Sequence, residues 1–525
     1  MNDLFICKCE KRMQVISTTG RMFHVLYLCC LLIGLSATVK AQWYDVTKYG
    51  AVGDSTTDNT KAIQRAIDDC AATGGKVYFP AGRFLTATLY LKSNVTLHIA
   101  AGATILGNTD TKQYPYQDAG IRFYGDEWAR QSLIFCKDQQ NVGIEGRGTI
   151  DGQGASFVIT TIKKPDRYRN RPYLLWFVNC KNVKVRDVTL RNSAFWMQHY
   201  LCCEYVWIDG LHIWNHSNKN NDMMDIDGCR NVHISNITGD SDDDGITVKS
   251  TSPRITENVT ISNCVISSHC NALKLGTEST GGFRNIVVSN CVIKPSAQLS
   301  TIYGLPAGNS GISLEMVDGG IMENITINNI VIDGPQVPLF VRLGNRARPH
   351  IKGAPVPAPG RAKNIHLSNI TATGADATGC SISGIAKAPV ENVSLEHIYI
   401  ETKAAAKVDL QAPVVEKEEE YPEATMFGNL PAYGFFIRYA KDVRLSDITL
   451  RAPAAETRPG IVVHNTAQFT LNGLDAQTTA ATPAAVYISN SKNGSVTNSR
   501  NAYPAQRHLL QDGASVNIQT DATTR

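Results

Sequence analysis

The chain has 525 residues with 51 basic and 47 acidic side chains, a formal net charge of +4 at pH 7, and 43% hydrophobic residues. Such a balance offers no basic field to a polyanion, so no nucleic-acid partner is expected, and any anionic ligand must be met by a local patch. The length admits several ordinary domains or one long repeat fold.

At the start, basic Lys11, Arg12 and Arg21 precede an apolar run from Val25 to Leu35, and Val39-Lys40-Ala41 supplies a small-residue cleavage site. This predicts a signal peptide over residues 1–41, removed on export to the periplasm or beyond. The apolar run is too short for a comfortable span, so no membrane insertion is expected. Its removal takes away five basic and two acidic residues and leaves 46 against 45, a charge of +1.

The next stretch, TTDNTKAIQRAIDDCAATGG, predicts a short amphipathic helix. Asp58 or Asn59 serves as N-cap, Ala62, Ile63, Ala66, Ile67 and Cys70 form the apolar face, and Gly74-Gly75 is the stop. From mid-chain one alternating β-branched pattern recurs, as in CKNVKVRDVTL, CRNVHISNITG and MENITINNIVI. Its first apolar position falls at Val183, Val206, Val232, Val259, Ile286, Ile325, Ile365, Val393 and Val443, with early intervals of 23, 26, 27 and 27 residues. Strands at that period, without a helical pattern, predict stacked coils of a parallel β-helix, with the N-terminal helix as its cap.

Four residues beyond that apolar position stands Asp187, Asn236, Asn263, Asn290, Asn329, Asn369 or Asp447. These residue types tolerate the left-handed conformation and are expected to align as a ladder at one corner. Cys180, Cys203 and Cys229 share a phase, as do Cys264 and Cys291; they are read as a buried stack rather than as disulfides. Near residues 403–434 a charged, then aromatic and Pro/Gly-rich segment predicts a long loop insertion, with Glu418 to Glu420 simply solvated. Residues 42–525 are otherwise expected to form a single domain.

The segment GDSDDDGI holds four carboxylates in five residues, Asp240, Asp242, Asp243 and Asp244. Crowded like charges raise one another's pKa and need a metal, a network or a reaction to justify them. One coil earlier lies NNDMMDIDG, and Asp243 and Asp244 follow Asp222 by 21 and 22 residues. Parallel stacking then sets Asp222 beside that pair, the carboxyl cluster that glycosidic hydrolysis requires: one protonated to release the leaving oxygen, another ionised to activate water. A calcium site is the rival, although the bidentate twelfth position of an EF-hand loop is Thr251. A solvated acidic turn is the plainest alternative, and two such clusters one coil apart favour catalysis.

YGAVGDSTTDNTKAIQRAIDDC, LKSNVTLHIAAGATILG, GRGTIDGQG and RPYLLWFVNCKNVKVRDVTLRNSAFW resemble the leading coils of glycoside hydrolase family 28. The resemblance implies an all-β, right-handed parallel β-helix and inverting hydrolysis of α-galacturonosyl linkages in polygalacturonan or rhamnogalacturonan. It implies no cofactor and no metal, a pectic polysaccharide as partner, and action as a monomer. The family's N-T-D motif is matched by Asn220-Asn221-Asp222 and its D-D motif by Asp243-Asp244, which implies Asp243 as general acid and Asp222 with Asp244 around the water. Its G-H-G motif falls on Cys270-Asn271-Ala272 and its R-x-K motif on Ser313 and Glu315, so the usual uronate-binding cations are missing. Substrate-binding expectations therefore pass to His269, Asn271, Lys274, Arg342 and Arg346, with Lys249 and Arg348 as further cations. The other readings are a Ca²⁺-dependent pectate lyase and a non-catalytic β-helix glycan-binding protein.

Overall fold

The computed structural model describes residues 42–405, 409–410, 412–501 and 507–521; the predicted signal peptide lies outside the described residues. Every ladder in the body is parallel. Each coil runs along three faces, the first two being covered by one continuous strand per coil between Gly282 and Arg451. The first face stacks Lys181–Arg186, Glu204–Asp209, Arg230–Ser235 and Thr256–Ser262. The second stacks Thr189–Arg191, His212–Asn215, Thr238–Ser241 and Val265–Ser268. The third stacks Gln198–Leu201, Met224–Asp227, Ile246–Ser250, Asn271–Ser279 and Ser310–Met316. This is the parallel β-helix expected from the repeat.

The repeat places one apolar side chain per coil into the same inward row. Val183, Val206, Val232, Val259, Ile286, Ile325, Ile365, Val393 and Val443 are fully buried there. The cysteines in phase with them are also buried, and all are free thiols among the described residues. Without the N-terminal helix, the first coil would expose this core to water. Thr60–Thr73 supplies the cover, burying Ala62, Ile63, Ala66, Ile67 and Cys70. Asp58 Oδ1 accepts the Thr60 N–H at 3.0 Å, and the chain leaves the helix through Gly74 at φ 76°.

The predicted corner row, Asp187 to Asp447, has φ between 53° and 64° throughout. A second corner escaped the sequence reading. Asn141, Asn182, Asn231, Asn258, Asn285, Asn324, Asn364 and Asn392 each take φ of 49–59° just before an inward valine or isoleucine. From Asn258 onward, each amide donates to the Asn one coil earlier at 2.8–3.1 Å. The two corners fix where each strand starts and turns, and so hold the third face in register.

Residues 403–434 lie between the strands Val390–Thr402 and Phe435–Arg438, and their described residues form no strand. No helix among the described residues is long and apolar enough to cross a membrane.

Candidate active site

Strand register assembles the carboxylates. Met224 pairs with Ile246, Ile246 with Leu273, and Leu273 with Ile312. Asp222, Asp244, Asn271 and Ser310 therefore share a row on four successive coils. Within it, the Asn271 amide donates to Asp244 Oδ1 at 2.7 Å, and Ser310 Oγ donates to Asn271 Oδ1 at 2.6 Å. Asp243 stands beside this row, with the Asn220 amide 3.5 Å from its Oδ2. The floor belongs to a cavity of about 610 Å³ lined by Asp222, Asp243 and Asp244. Loops wall it: Tyr124 and Trp128 from 108–131, Lys164 and Arg167 from 152–172, Tyr303 and Asn309 from 294–309, Arg346 and Arg348 from 344–360, and Tyr421 and Glu423 from 403–434.

Two buried lysines neutralise most of the acids. Lys249 Nζ is 3.3 Å from Asp222, 3.3 Å from Asp225 and 3.5 Å from Glu278, and lies 4.4 Å from the Trp196 ring centre. Burial alone would lower its pKa, but the charges of Asp225, Asp222 and Glu278 raise it well above the ordinary value. Burial also pushes Asp222 well up, opposed by Lys249 and reinforced by Asp243 and Asp244. Lys274 Nζ is 2.9 Å from Asp244 and 3.7 Å from Glu315. Asp243 has no such partner: burial, then the neighbouring Asp244 charge, push it up to about 7 against the pull of Lys274 and Lys249.

Asp240 and Asp242, for which the family motifs imply no role, turn away from the cavity and hold a wall. Asp242 accepts His269 Nδ1–H at 2.7 Å and the amides of Ile302 at 2.8 Å and Tyr303 at 3.0 Å. Asp240 accepts His216 Nε2–H at 2.9 Å and the Ala297 amide at 2.9 Å. The 294–309 loop is thereby pinned to the coil that carries the catalytic candidates. His216, Asp242 and His269 bring three possible ligand atoms within 4.8 Å of one another. His269 Nε2 also faces the Gln298 carbonyl at 2.7 Å, so both its nitrogens are engaged by oxygens of the protein.

The substrate-binding expectations are redistributed. Arg346 lines the cavity, with Nε on Asp318 Oδ1 at 2.9 Å. His269, Asn271 and Lys274 are buried, bonded to Asp242, Asp244 or the loops, and do not line the cavity. Arg342 points elsewhere: it is 1% exposed and donates to the carbonyls of Gly384, Glu416 and Lys417 at 2.9–3.2 Å, clasping the 403–434 insertion. The Glu418 run is not simply solvated, since the Glu418 carbonyl accepts the Asn345 N–H at 2.8 Å and its carboxylate meets Lys387 at 3.3 Å. Ser313 and Glu315, which stand where the family motif has its cation pair, bond each other at 2.7 Å beneath Lys274. Sequence reasoning overlooked Glu278, Tyr303, Tyr421, Lys164 and Arg167. Tyr303, Tyr421, Lys164 and Arg167 lie on loops, where spacing carries no phase, and Glu278 lies near the end of the strand Asn271–Ser279, outside the acidic segments that drew notice.

The family model for glycosyl hydrolases family 28 matches residues 71–416. A Vitis vinifera protein named "Probable polygalacturonase" is 31% identical over 227 residues, covering 40% of this chain and 45% of the relative. The exo-poly-alpha-D-galacturonosidase of Dickeya chrysanthemi is 30% identical over 249 residues, covering 38% and 41%. The chain thus spans less than half the length of these two relatives. Among solved structures, the exopolygalacturonase of Thermotoga maritima superposes with a TM-score of 0.61 at 21% identity, over 79% of this chain and 92% of that one. The polygalacturonase of Erwinia carotovora gives 0.53 at 21% identity, over 68% and 95%. These two share the fold. With two thirds of its length under the family model, and its carboxylates on adjoining coils of a parallel β-helix, the chain belongs to glycosyl hydrolases family 28.

Proposed function

We propose that this chain is an exported glycoside hydrolase that cleaves α-galacturonosyl linkages of a pectic polysaccharide by single displacement. Asp243 is the acid: held neutral to about pH 7, it donates its proton to the leaving glycosidic oxygen. Asp244, fixed by Lys274 and Asn271, takes a proton from the attacking water, and Asp222 holds that water from the neighbouring coil. One observation carries the assignment. Asp222, Asp244 and Glu278 each have a lysine within 3.5 Å, and Asp240 and Asp242 each have a histidine; among the described residues, Asp243 is the one aspartate of the cavity with no cation at that range. Environments that push neighbouring carboxyls apart in this way separate acid from base.

The test is a product assay on homogalacturonan and on rhamnogalacturonan, with and without EDTA, read by mass spectrometry. Saturated products insensitive to EDTA are expected from one of the two polymers. Unsaturated, EDTA-sensitive products would overturn the mechanism in favour of a lyase, and glycan binding without new reducing ends would overturn catalysis.

A further inference from the structure

The geometry points to a carboxylate-binding subsite formed by Lys164 and Arg167 on the 152–172 loop; it deepens the hydrolase reading above and rests on it. Both side chains line the cavity that holds Asp243. They share one region of it with Arg346 and Arg348, and those two are answered by acids. Arg346 pairs with Asp318, and Arg348 reaches Glu278 at 2.8 Å and Asp318 at 3.5 Å. Lys249 and Lys274 are likewise committed to carboxylates. Among the described residues, neither Lys164 nor Arg167 has a carboxylate within 4.0 Å.

Arg167 is also left incomplete as a donor. Its Nε is buried without a hydrogen-bond partner, which costs free energy unless a ligand supplies the acceptor. The guanidinium is already aimed, lying 4.8 Å from the centre of the Tyr168 ring, which itself stacks on Trp128 at 4.5 Å. Like charges gathered in this way oppose one another. Lys164 is pushed down in pKa by burial and then by Arg167 and Arg348, so a bound anion relieves both groups. A guanidinium fork beside a single ammonium suits a planar, two-oxygen anion on a sugar ring, the carboxylate of a uronate residue. Tyr303, Arg167 and Asp243 line the same cavity, so one bound chain can meet this subsite and the acid together.

The experiment uses the full chain carrying Asp243→Asn, so that binding is read without turnover. Trigalacturonate and its methyl ester are titrated calorimetrically into this parent and into versions with Arg167→Gln, Arg167→Lys or Lys164→Met added. The parent is expected to prefer the acid over the ester. Arg167→Gln should cut that preference about tenfold, Lys164→Met should cut it less, and Arg167→Lys should fall between parent and Arg167→Gln. A preference unchanged in both Arg167→Gln and Lys164→Met, or no preference in the parent, overturns the subsite. Lys164 sits at the exposed rim, so its variant keeps the test alive if Arg167→Gln misfolds. Cleavage by the native chain is scored separately. Cleavage with an unaltered preference removes the subsite alone, whereas an acid preference without cleavage removes the hydrolase reading alone.

Discussion

Asp242→Asn separates a holding role from a catalytic one. The native carboxylate is fully buried and accepts one imidazole and two backbone N–H groups of the 294–309 loop. Burial alone would raise its pKa, but the nearby His216 imidazole, the hydrogen bond from His269 and those from the amides of Ile302 and Tyr303 bring it from 3.8 down to about 2. That depression corresponds to about 2 kcal/mol of folded-state stabilisation. Because the folded value lies below the unfolded one, the contribution is complete above pH 4 and disappears as pH falls through 2. An asparagine presents an N–H where an acceptor is needed and removes the charge opposite His269. Breaking a buried charged pair on one side costs about 3 kcal/mol or more, roughly a hundredfold in local opening. Hydrogen exchange of the segment 296–306, followed by mass spectrometry at pH 5 and at pH 2, reads this directly. The variant should exchange faster at pH 5, with the gap to the native chain narrowing at pH 2. KM should rise because Tyr303 and Asn309 lose their support, while the basic limb of the pH profile stays in place. Unchanged exchange at pH 5 would refute the pinning argument.

Further outcomes follow from the same geometry. The kcat/KM of the native chain should fall as pH rises through about 7, when Asp243 loses its proton, and a basic limb already falling below pH 5 would contradict its assignment as acid. Lys274→Met should move that limb upward, because the Lys274 charge pulls the Asp243 pKa down; an unmoved limb would show that the two groups do not communicate. Arg342→Ala should speed proteolysis within 403–434 and raise KM equally on acidic and carboxyl-reduced substrate, whereas a selective loss on the acidic one would restore Arg342 as a uronate ligand. Asn285→Ala breaks two rungs of the amide ladder at φ 54° and should cost about 1–3 kcal/mol in denaturant unfolding, with Asn285→Gly costing less.

The coils were legible because their spacing is a physical constraint. A strand whose apolar residue must return to the same inward row keeps its period, and Val183 to Val443 do so. The row of Asp222 and Asp244 followed from that same period, since 22 residues is one coil here. The second asparagine corner was equally periodic, but it directly precedes the valine or isoleucine that drew notice as strand. Loop residues obey no such constraint. Arg342 sits on the third-face strand Val337–Leu343, and nothing in FVRLGNRAR tells which of its arginines faces the cavity and which clasps a segment more than 70 residues away. Tyr421 and Glu423 reach the cavity only because that segment folds back, a contact no local pattern encodes.

The cluster also has an energetic signature that distinguishes a reaction from mere structure. Asp240 and Asp242 have partners that reward ionisation, so folding tolerates them. Asp243 does not: an acid held at about 7 in the fold and near 3.8 when unfolded makes the folded state less stable as pH rises between those values. The full penalty above pH 7 is up to about 4 kcal/mol, reduced by whatever solvent the cleft admits. Asp243→Asn keeps the shape and removes the charge. It should therefore abolish turnover by several orders of magnitude and at the same time raise stability at pH 8, with no gain at pH 3.5, where the native carboxyl is already neutral. Denaturant unfolding of both proteins across that pH range measures the difference. A variant that is inactive yet no more stable at pH 8 would mean that Asp243 is not strained in the fold. An active one would move the acid to another carboxyl, and Asp222, itself pushed up by burial on the adjoining coil, is the next in line.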